Sequence, residues 1–181
     1  MAVRHEVRLS GSGGQGMQLA GIILAEAAIL EGKNAVQTQS YGPEARGGAS
    51  RSEVIISEAA IDYPKVTQPQ VMLALTQESY NKYRHDLAPD ALLVVDESIE
   101  VSDDLPTGTQ VISVPILRSA TETLQRPIVA NIMALGVLVG SSAIVERESL
   151  EKAVLNRVPR GTEDLNRQAL AIGFQLAANG S

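Results

Sequence analysis

The sequence predicts an α/β fold, a mostly parallel sheet flanked by helices, and three observations carry that prediction. Short apolar runs of strand length alternate along the chain with longer stretches of helix length. A glycine-rich turn, Gly11-Ser12-Gly13-Gly14-Gln15-Gly16, joins the first such run to the first helical stretch. The 181 residues are 44% hydrophobic and 20% charged, which supplies a sizeable core and favours one domain over residues 1–181.

The first strand is His5–Ser10. Residues 16–30 form a helix that is apolar on nearly every face, stopped by Gly32. Ala35–Gln39 is the second strand. Arg51–Ser57 alternates around Val54, Ile55 and Ile56 and reads as a strand antiparallel to its neighbours. Pro64 and Pro69 bracket a loop. Val71–Thr76 is a buried strand, Gln77–Leu87 a polar helix, Ala91–Asp96 and Gln110–Val114 two further strands, and Leu117–Gln125 a short helix. Pro127 suits the first turn of the helix that follows. Glu148–Arg157 and Thr162–Ala178 close the chain as helices, with Thr162 as the cap and Glu163 and Asp164 in the first turn. Asn179-Gly180-Ser181 is expected to fray.

Composition excludes several functions. A net charge of −6 argues against a nucleic-acid binder, although Arg46, Arg51, Arg118, Arg126, Arg157 and Arg160 leave local basic spots. No cysteine is present, so the chain holds no disulfide, thiolate zinc site or cysteine-ligated iron–sulfur cluster. His5 and His85 lack metal-ligand spacing, and no metal site is expected. The uncharged run Pro127–Val145 approaches membrane-spanning length, but Asn131, Gly136, Gly140, Ser141 and Ser142 interrupt it, and it reads as a buried helix. No signal region follows Met1, so a cytoplasmic location is the expectation. Residues 17–30 and 128–145 have too few polar faces for a small monomer, which predicts an apolar association surface.

The spacing Gly11-x-Gly13-x-x-Gly16, between a strand and a helix, is that of a phosphate cradle in a Rossmann-like fold. Glycines admit a phosphate close to the backbone, and the helix start offers free N–H groups. A tight turn with no ligand is the alternative. Dinucleotide binding is disfavoured, because the second strand ends Gln37-Thr38-Gln39-Ser40 without the acid that would hold ribose hydroxyls, and Glu31 lies on the wrong side of Gly32. The Gly-Lys-Ser/Thr ending of an ATP-binding loop is also absent. A pyrophosphate such as that of coenzyme A suits what remains.

A second loop, Ser40-Tyr41-Gly42-Pro43-Glu44-Ala45-Arg46-Gly47-Gly48, follows the second strand and should open at the same carboxyl edge, where such folds bind ligands. Pro43 fixes its turn, and Arg46 beside Gly47 and Gly48 can aim its fork at a carboxylate or phosphate. Internal ion pairs, Arg46 with Glu44 and Arg51 with Glu53, are the alternative. Asp96 and Glu97 read as caps or interface residues, and Asn131 as a buried hydrogen-bonding group. No nucleophile triad or carboxylate pair is evident.

These two loops, with Ala49-Ser50-Arg51-Ser52-Glu53-Val54 after them, resemble the gamma subunit of 2-oxoacid:ferredoxin oxidoreductases over essentially the whole chain, and Arg46 followed by Ser50–Glu53 is most similar to the 2-oxoglutarate branch. The resemblance implies a gamma-type Rossmann-like fold and an assembly that decarboxylates a 2-oxoacid oxidatively, transfers the acyl group to coenzyme A and passes electrons to ferredoxin. It places thiamine diphosphate, magnesium and iron–sulfur clusters in alpha and beta subunits, with or without a delta subunit, and coenzyme A partly on this chain at Gly11, Ser12, Gly13, Gly14, Gln15 and Gly16. Tyr41, Glu44, Arg46, Gly47, Gly48 and Arg51 would form the subunit-interface or active-site loop. Arg46 is the one candidate for a catalytic contact. The other branches, for 2-oxoisovalerate, pyruvate or indolepyruvate, remain open, as does a non-catalytic nucleotide-binding module; an NAD-linked enzyme is weakened by the missing acid.

Overall fold

The computed structural model of the chain describes residues 2–39 and 48–180. Among these residues six strands form one sheet: β1 (Arg4–Ser12), β2 (Asn34–Gln39), β3 (Ala49–Ser57), β4 (Val71–Ala74), β5 (Leu92–Asp96) and β6 (Gln110–Val114), in the order β2-β3-β1-β4-β5-β6. β1, β4, β5 and β6 pair in parallel, and β3 runs antiparallel to both β1 and β2, as its sequence predicts. The helices are α1 (Met17–Leu30), α2 (Gln77–Tyr83), α3 (Ile116–Arg118), α4 (Ala130–Ser142), α5 (Arg147–Arg157) and α6 (Glu163–Gly180).

Alternation along β1 sorts its side chains between two unequal layers. Val7 and Leu9 join the larger core, shared with α1, α4, α5 and α6. Arg8 points to the opposite face, beside α2, and is only 2% exposed. Its charge is met there: Arg8 stands opposite Glu53 in the β1–β3 register and bonds it at 3.0 Å, pairs with Asp86 after α2, and lies 5.2 Å from the Tyr83 ring centroid. A buried guanidinium is tolerable only with such partners. The sequence gives no hint of this cluster, because its members are scattered along the chain.

Several boundaries differ from the sequence reading. Thr76 does not continue β4; its hydroxyl accepts the Ser79 N–H at 3.2 Å and caps α2. The polar helix breaks after Tyr83 into a 3-10 turn, Arg84–Asp86. The stretch 117–125 becomes a three-residue helix widening into a π turn, Ser119–Thr123. Pro127 does open the next helical segment, as a 3-10 turn before α4. Gly32 ends α1 as expected: with φ 78° it donates to Ile29 O at 2.9 Å, while Lys33 N reaches Ala28 O at 3.1 Å.

Of the association surface expected on residues 128–145, the part from Ala130 to Val139 is overturned, while Ile128 is 80% exposed. Every residue of α4 from Ala130 to Val139 is buried, because α6 lies along it and the sheet lies beneath it. α1 is likewise covered by the chain's own β2, β3 and α5, leaving Ile29 (58% exposed) and Leu30 (49%) at its C-terminal end. No described helix is long and apolar enough to cross a membrane. Fraying at Asn179–Gly180 is also overturned: α6 runs through Gly180, which packs against β6 near Val114 and Ile112.

Candidate functional site

The glycine-rich loop sits at the carboxyl end of β1, between that strand and α1. Gly14 and Gly16 both adopt left-handed backbone, φ 87° and 76°, which glycine enters without a steric penalty. Gln15 does not reach outward as a ligand-binding side chain would. It folds back, its Oε1 accepting the Ser12 N–H at 2.7 Å, and it lies so close to the Gly11 Cα that a Cβ there would strike it. Gln15 and Gly11 therefore brace the loop. Among the described residues, the backbone N–H groups of Gly13, Gly14 and Gly16 meet no acceptor, and the first turn of α1 follows directly with its own unpaired N–H groups. A Cβ on Gly14 would meet nothing within 4 Å. The loop is open on that side, and its donors and helix dipole suit an anion.

Asn131, at the start of α4, fixes the far end of the loop. Its Nδ2 donates to Gly16 O at 3.2 Å, and its Oδ1 accepts the Ile132 N–H at 2.9 Å, so both ends of the amide are satisfied at 5% exposure. The buried hydrogen-bonding role expected for Asn131 is thus what the structure shows. A Cβ on Gly16 would come within 2.5 Å of that Nδ2, which ties glycine at position 16 to asparagine at 131. Asn131→Leu should leave the Gly16 carbonyl short of one partner and push on the loop. We expect a loss of about 1–2 kcal/mol of stability, read as a lower urea midpoint, and at least as large a loss for Asn131→Asp, whose carboxylate cannot donate to the Gly16 carbonyl and would be buried against it; an unchanged midpoint would show that the loop does not depend on the clamp.

A cavity of about 360 Å³ opens beside the loop, within the usual range for small-molecule sites. Gly14, Gln15 and Gly16 form one wall. The rest comes from three distant segments: Leu19 on α1, Ile128–Ile132 around the start of α4, and Val158–Asn166 between α5 and α6. No ionisable side chain lines it, so its chemistry is that of binding and not of proton transfer. Thr162 does not cap α6 through its hydroxyl, which donates instead to Pro159 O at 2.6 Å; its carbonyl accepts the Asn166 N–H. Sequence reasoning missed Ile128, Val158, Thr162 and Asn166 as neighbours of the glycine loop, and no local signal could have joined them to it.

The second loop's flanks arrive beside the first. Ser12 stands opposite Ala49 and Gln39 opposite Ser52, so Gly48 lies next to the glycine loop at the same edge of the sheet. Tyr41, Glu44, Arg46 and Gly47 lie outside the described residues. Arg51 approaches Glu53 at 3.5 Å and lies 5.5 Å from the Tyr83 ring centroid, which is the internal pairing offered as the alternative. Asp96 proves to be a clamp: its carboxylate accepts from Leu117 N at 2.8 Å and Ser98 Oγ at 2.6 Å, while Glu97 pairs with Arg118 at 3.0 Å. The perturbed acid–base groups belong to other regions. Desolvation and then Lys33 lower the His5 pKa against the pull of Glu58, and Arg84 with Ser102 brings Asp104 down to about 2. No group of three His, Asp or Glu side chains among the described residues could hold a metal ion.

With this geometry in place, comparison with known proteins is informative. Residues 6–176 match the family model described as pyruvate ferredoxin/flavodoxin oxidoreductase. The chain is 49% identical over 177 residues to the 2-oxoglutarate synthase subunit KorC of Methanocaldococcus jannaschii, covering 97% of this chain and 95% of that one. The crystal structure of a keto/oxoacid ferredoxin oxidoreductase gamma subunit from Geobacter sulfurreducens superposes with a TM-score of 0.89 at 48% identity, over 98% of both chains. A 2-oxoglutarate:ferredoxin oxidoreductase from Magnetococcus marinus, solved with 2-oxoglutarate, coenzyme A and succinyl-CoA bound, shares the fold at a TM-score of 0.87 and 21% identity, over 98% of this chain and 32% of that one.

Proposed function

The chain belongs to the pyruvate ferredoxin/flavodoxin oxidoreductase family, and from that premise we propose that it is the gamma subunit of a 2-oxoacid:ferredoxin oxidoreductase acting on 2-oxoglutarate. The observation that carries the reading is the near full-length 49% identity to a 2-oxoglutarate synthase subunit, supported by the 48% identity to a keto/oxoacid oxidoreductase gamma subunit. Enzymes acting on 2-oxoisovalerate, pyruvate or indolepyruvate are the alternative branches, and the higher identity to the 2-oxoglutarate subunit supports the 2-oxoglutarate reading over them.

The reaction joins decarboxylation of the 2-oxoacid to acyl transfer onto coenzyme A, with ferredoxin taking the electrons; the reverse is reductive carboxylation. Within it, this chain holds one end of coenzyme A and does no redox chemistry. The resemblance assigns the clusters, thiamine diphosphate and magnesium to alpha and beta subunits, and the chain's lack of cysteine and of a Gly-Asp-Gly segment agrees with that. The Gly13, Gly14 and Gly16 N–H groups fit a pyrophosphate: they meet no acceptor among the described residues, lie within four positions of one another, and are backed by the start of α1. Residues 1–181 act as one domain, working in the cytoplasm, and Tyr41–Arg51 is the candidate segment for contact with the catalytic subunits, with Arg46 the candidate for contact with the substrate or cofactor.

The test is reconstitution. The purified chain should show no 2-oxoacid-dependent dye reduction with added thiamine diphosphate and coenzyme A, and should regain turnover only when co-purified with thiamine- and cluster-bearing partners. Turnover by the chain alone would overturn the assignment.

A further inference from the structure

We propose that Gln18 is a positioning residue: its amide is a strut that holds the start of α1, and with it the glycine-rich loop, in fixed alignment with the start of β3. This rests on the reading of the chain as a coenzyme A-binding gamma subunit and goes beyond it by assigning the residue that sets where bound coenzyme A stands relative to the catalytic subunits.

Gln18 is the second residue of α1 and follows Gly16 by two positions. Its Nε2 donates to Arg51 O at 3.0 Å, across 33 positions of chain, and its Oε1 accepts from Gln37 Nε2 at 3.4 Å. Gln37 Nε2 also donates to Ser52 Oγ at 2.9 Å, and Ser52 is fully buried. The helix lies close over this group. A Cβ on Gly21, three residues after Gln18 and so on the same face, would strike Ser52 Oγ and come within 3.1 Å of Ser52 Cβ and 3.3 Å of Gln37 Cγ. The rest of the layer between α1 and these strands is apolar, with Val7, Leu9, Val54 and Ile56 in it. Apolar contact is non-directional and leaves a helix free to slide on a sheet, whereas a hydrogen bond fixes both distance and direction. Such a buried polar group adds little net stability after desolvation, so what it supplies is alignment.

The place of the strut decides what it aligns. The last described pair of the β2–β3 ladder is Gln39 with Ser52, so Arg51 lies one position past it. There Gln18 brings a donor from α1 to the Arg51 carbonyl, while Ser10 and Gly11 of β1 stand opposite Arg51 and Ser50. Both ends of the strut therefore lie at the carboxyl edge of the sheet. One end carries the N–H groups assigned to the pyrophosphate, and the other belongs to the strand adjoining the candidate contact segment for the catalytic subunits. Coenzyme A held at the first must bring its thiol to an acyl group held by those subunits. A displacement of about 1 Å between the two costs rate, on the order of tenfold or more, without removing any contact to coenzyme A.

The experiment uses the intact complex and two rates: coenzyme A-dependent steady-state turnover, and release of carbon dioxide from the 2-oxoacid in a single turnover without coenzyme A. Gln18→Met keeps length and helix propensity and loses both hydrogen bonds. Gln18→Glu keeps the shape and the acceptor for Gln37 but cannot donate to Arg51 O. Both should lower kcat of the coenzyme A-dependent reaction by on the order of tenfold, with the KM for coenzyme A within about twofold of wild type and the single-turnover rate unchanged. Ser52→Ala removes the neighbouring bond from Gln37 and leaves the strut, so it should lower the melting temperature without that split. A glutamine serving stability alone predicts a lower melting temperature with both rates as in the wild type, and that result overturns the proposal. So does the same split in Ser52→Ala, which would make it a product of general loosening. Loss of assembly in Gln18→Glu overturns it as well, by making the amide a folding contact. If the split is absent while Gly14→Asp still weakens coenzyme A, only the role of Gln18 falls; if Gly14→Asp has no effect on coenzyme A, the gamma-subunit binding role itself fails.

Discussion

Gly14→Asp in the assembled enzyme is expected to raise the KM for coenzyme A by the equivalent of about 2–4 kcal/mol, combining lost charge-assisted hydrogen bonds with repulsion of phosphate. The KM for the 2-oxoacid should move far less, because the proposed assembly carries thiamine chemistry on other chains. The geometry makes this variant a clean probe. A Cβ at position 14 meets none of the described residues within 4 Å, so the side chain does not collide with them. The left-handed backbone, φ 87°, imposes a conformational cost of about 1 kcal/mol on any other residue, least on aspartate and asparagine. Gly14→Asn carries that same cost and shape without the charge. The difference between the two variants therefore isolates the electrostatic part. Steady-state kinetics varying coenzyme A and 2-oxoacid separately reads it, and equal coenzyme A dependence in wild type and Gly14→Asp would refute the phosphate cradle.

Gly173→Ala should destabilise the chain by about 2–4 kcal/mol, even though helix propensity alone predicts a gain of about 1 kcal/mol for the same change. The sign decides which effect wins. Gly173 on α6 faces Gly136 on α4, and the helices touch there backbone to backbone. An added Cβ would strike Met133 O and come within 2.9 Å of the Gly136 Cα and 3.1 Å of Val137 N. None of these is a flexible side-chain tip, so relief requires moving a whole helix. α4 also supplies Asn131 to the glycine loop, so a shift of α4 would reach the site. Urea unfolding of the purified variant measures the effect, and a midpoint at or above wild type would show that α4 and α6 can separate without loss.

The local part of the site was legible in the chain. Gly11–Gly16 between a strand and a helix announces an anion-compatible turn, because the spacing of glycines is itself the geometric requirement. Arg51–Ser57 declared itself a separate strand through alternation. Length misled where charge gave no contrast: residues 127–145 are uncharged throughout, and only tertiary packing shows that α6 lies along residues 130–139. Gln15 could not be told from a ligand-binding side chain, since its return to Ser12 N depends on the turn's final shape.

By itself the sequence determined the α/β class, the order of the elements, the turn at Gly11–Gly16 and, through the absence of cysteine, the exclusion of cluster chemistry. These follow from periodicity, glycine conformational freedom and side-chain chemistry, all of which act over a few residues. The tertiary structure alone decided the cavity, the clamp of Asn131 on Gly16 and the pairing of the buried Arg8 with Glu53 and Asp86. The clamp and the ion-pair cluster join residues from 45 to 115 positions apart and the cavity joins several segments at once, and such contacts are set by how the helices close over the sheet. A side chain's partner across the fold has no local signature, because burial and register are properties of the packed layers.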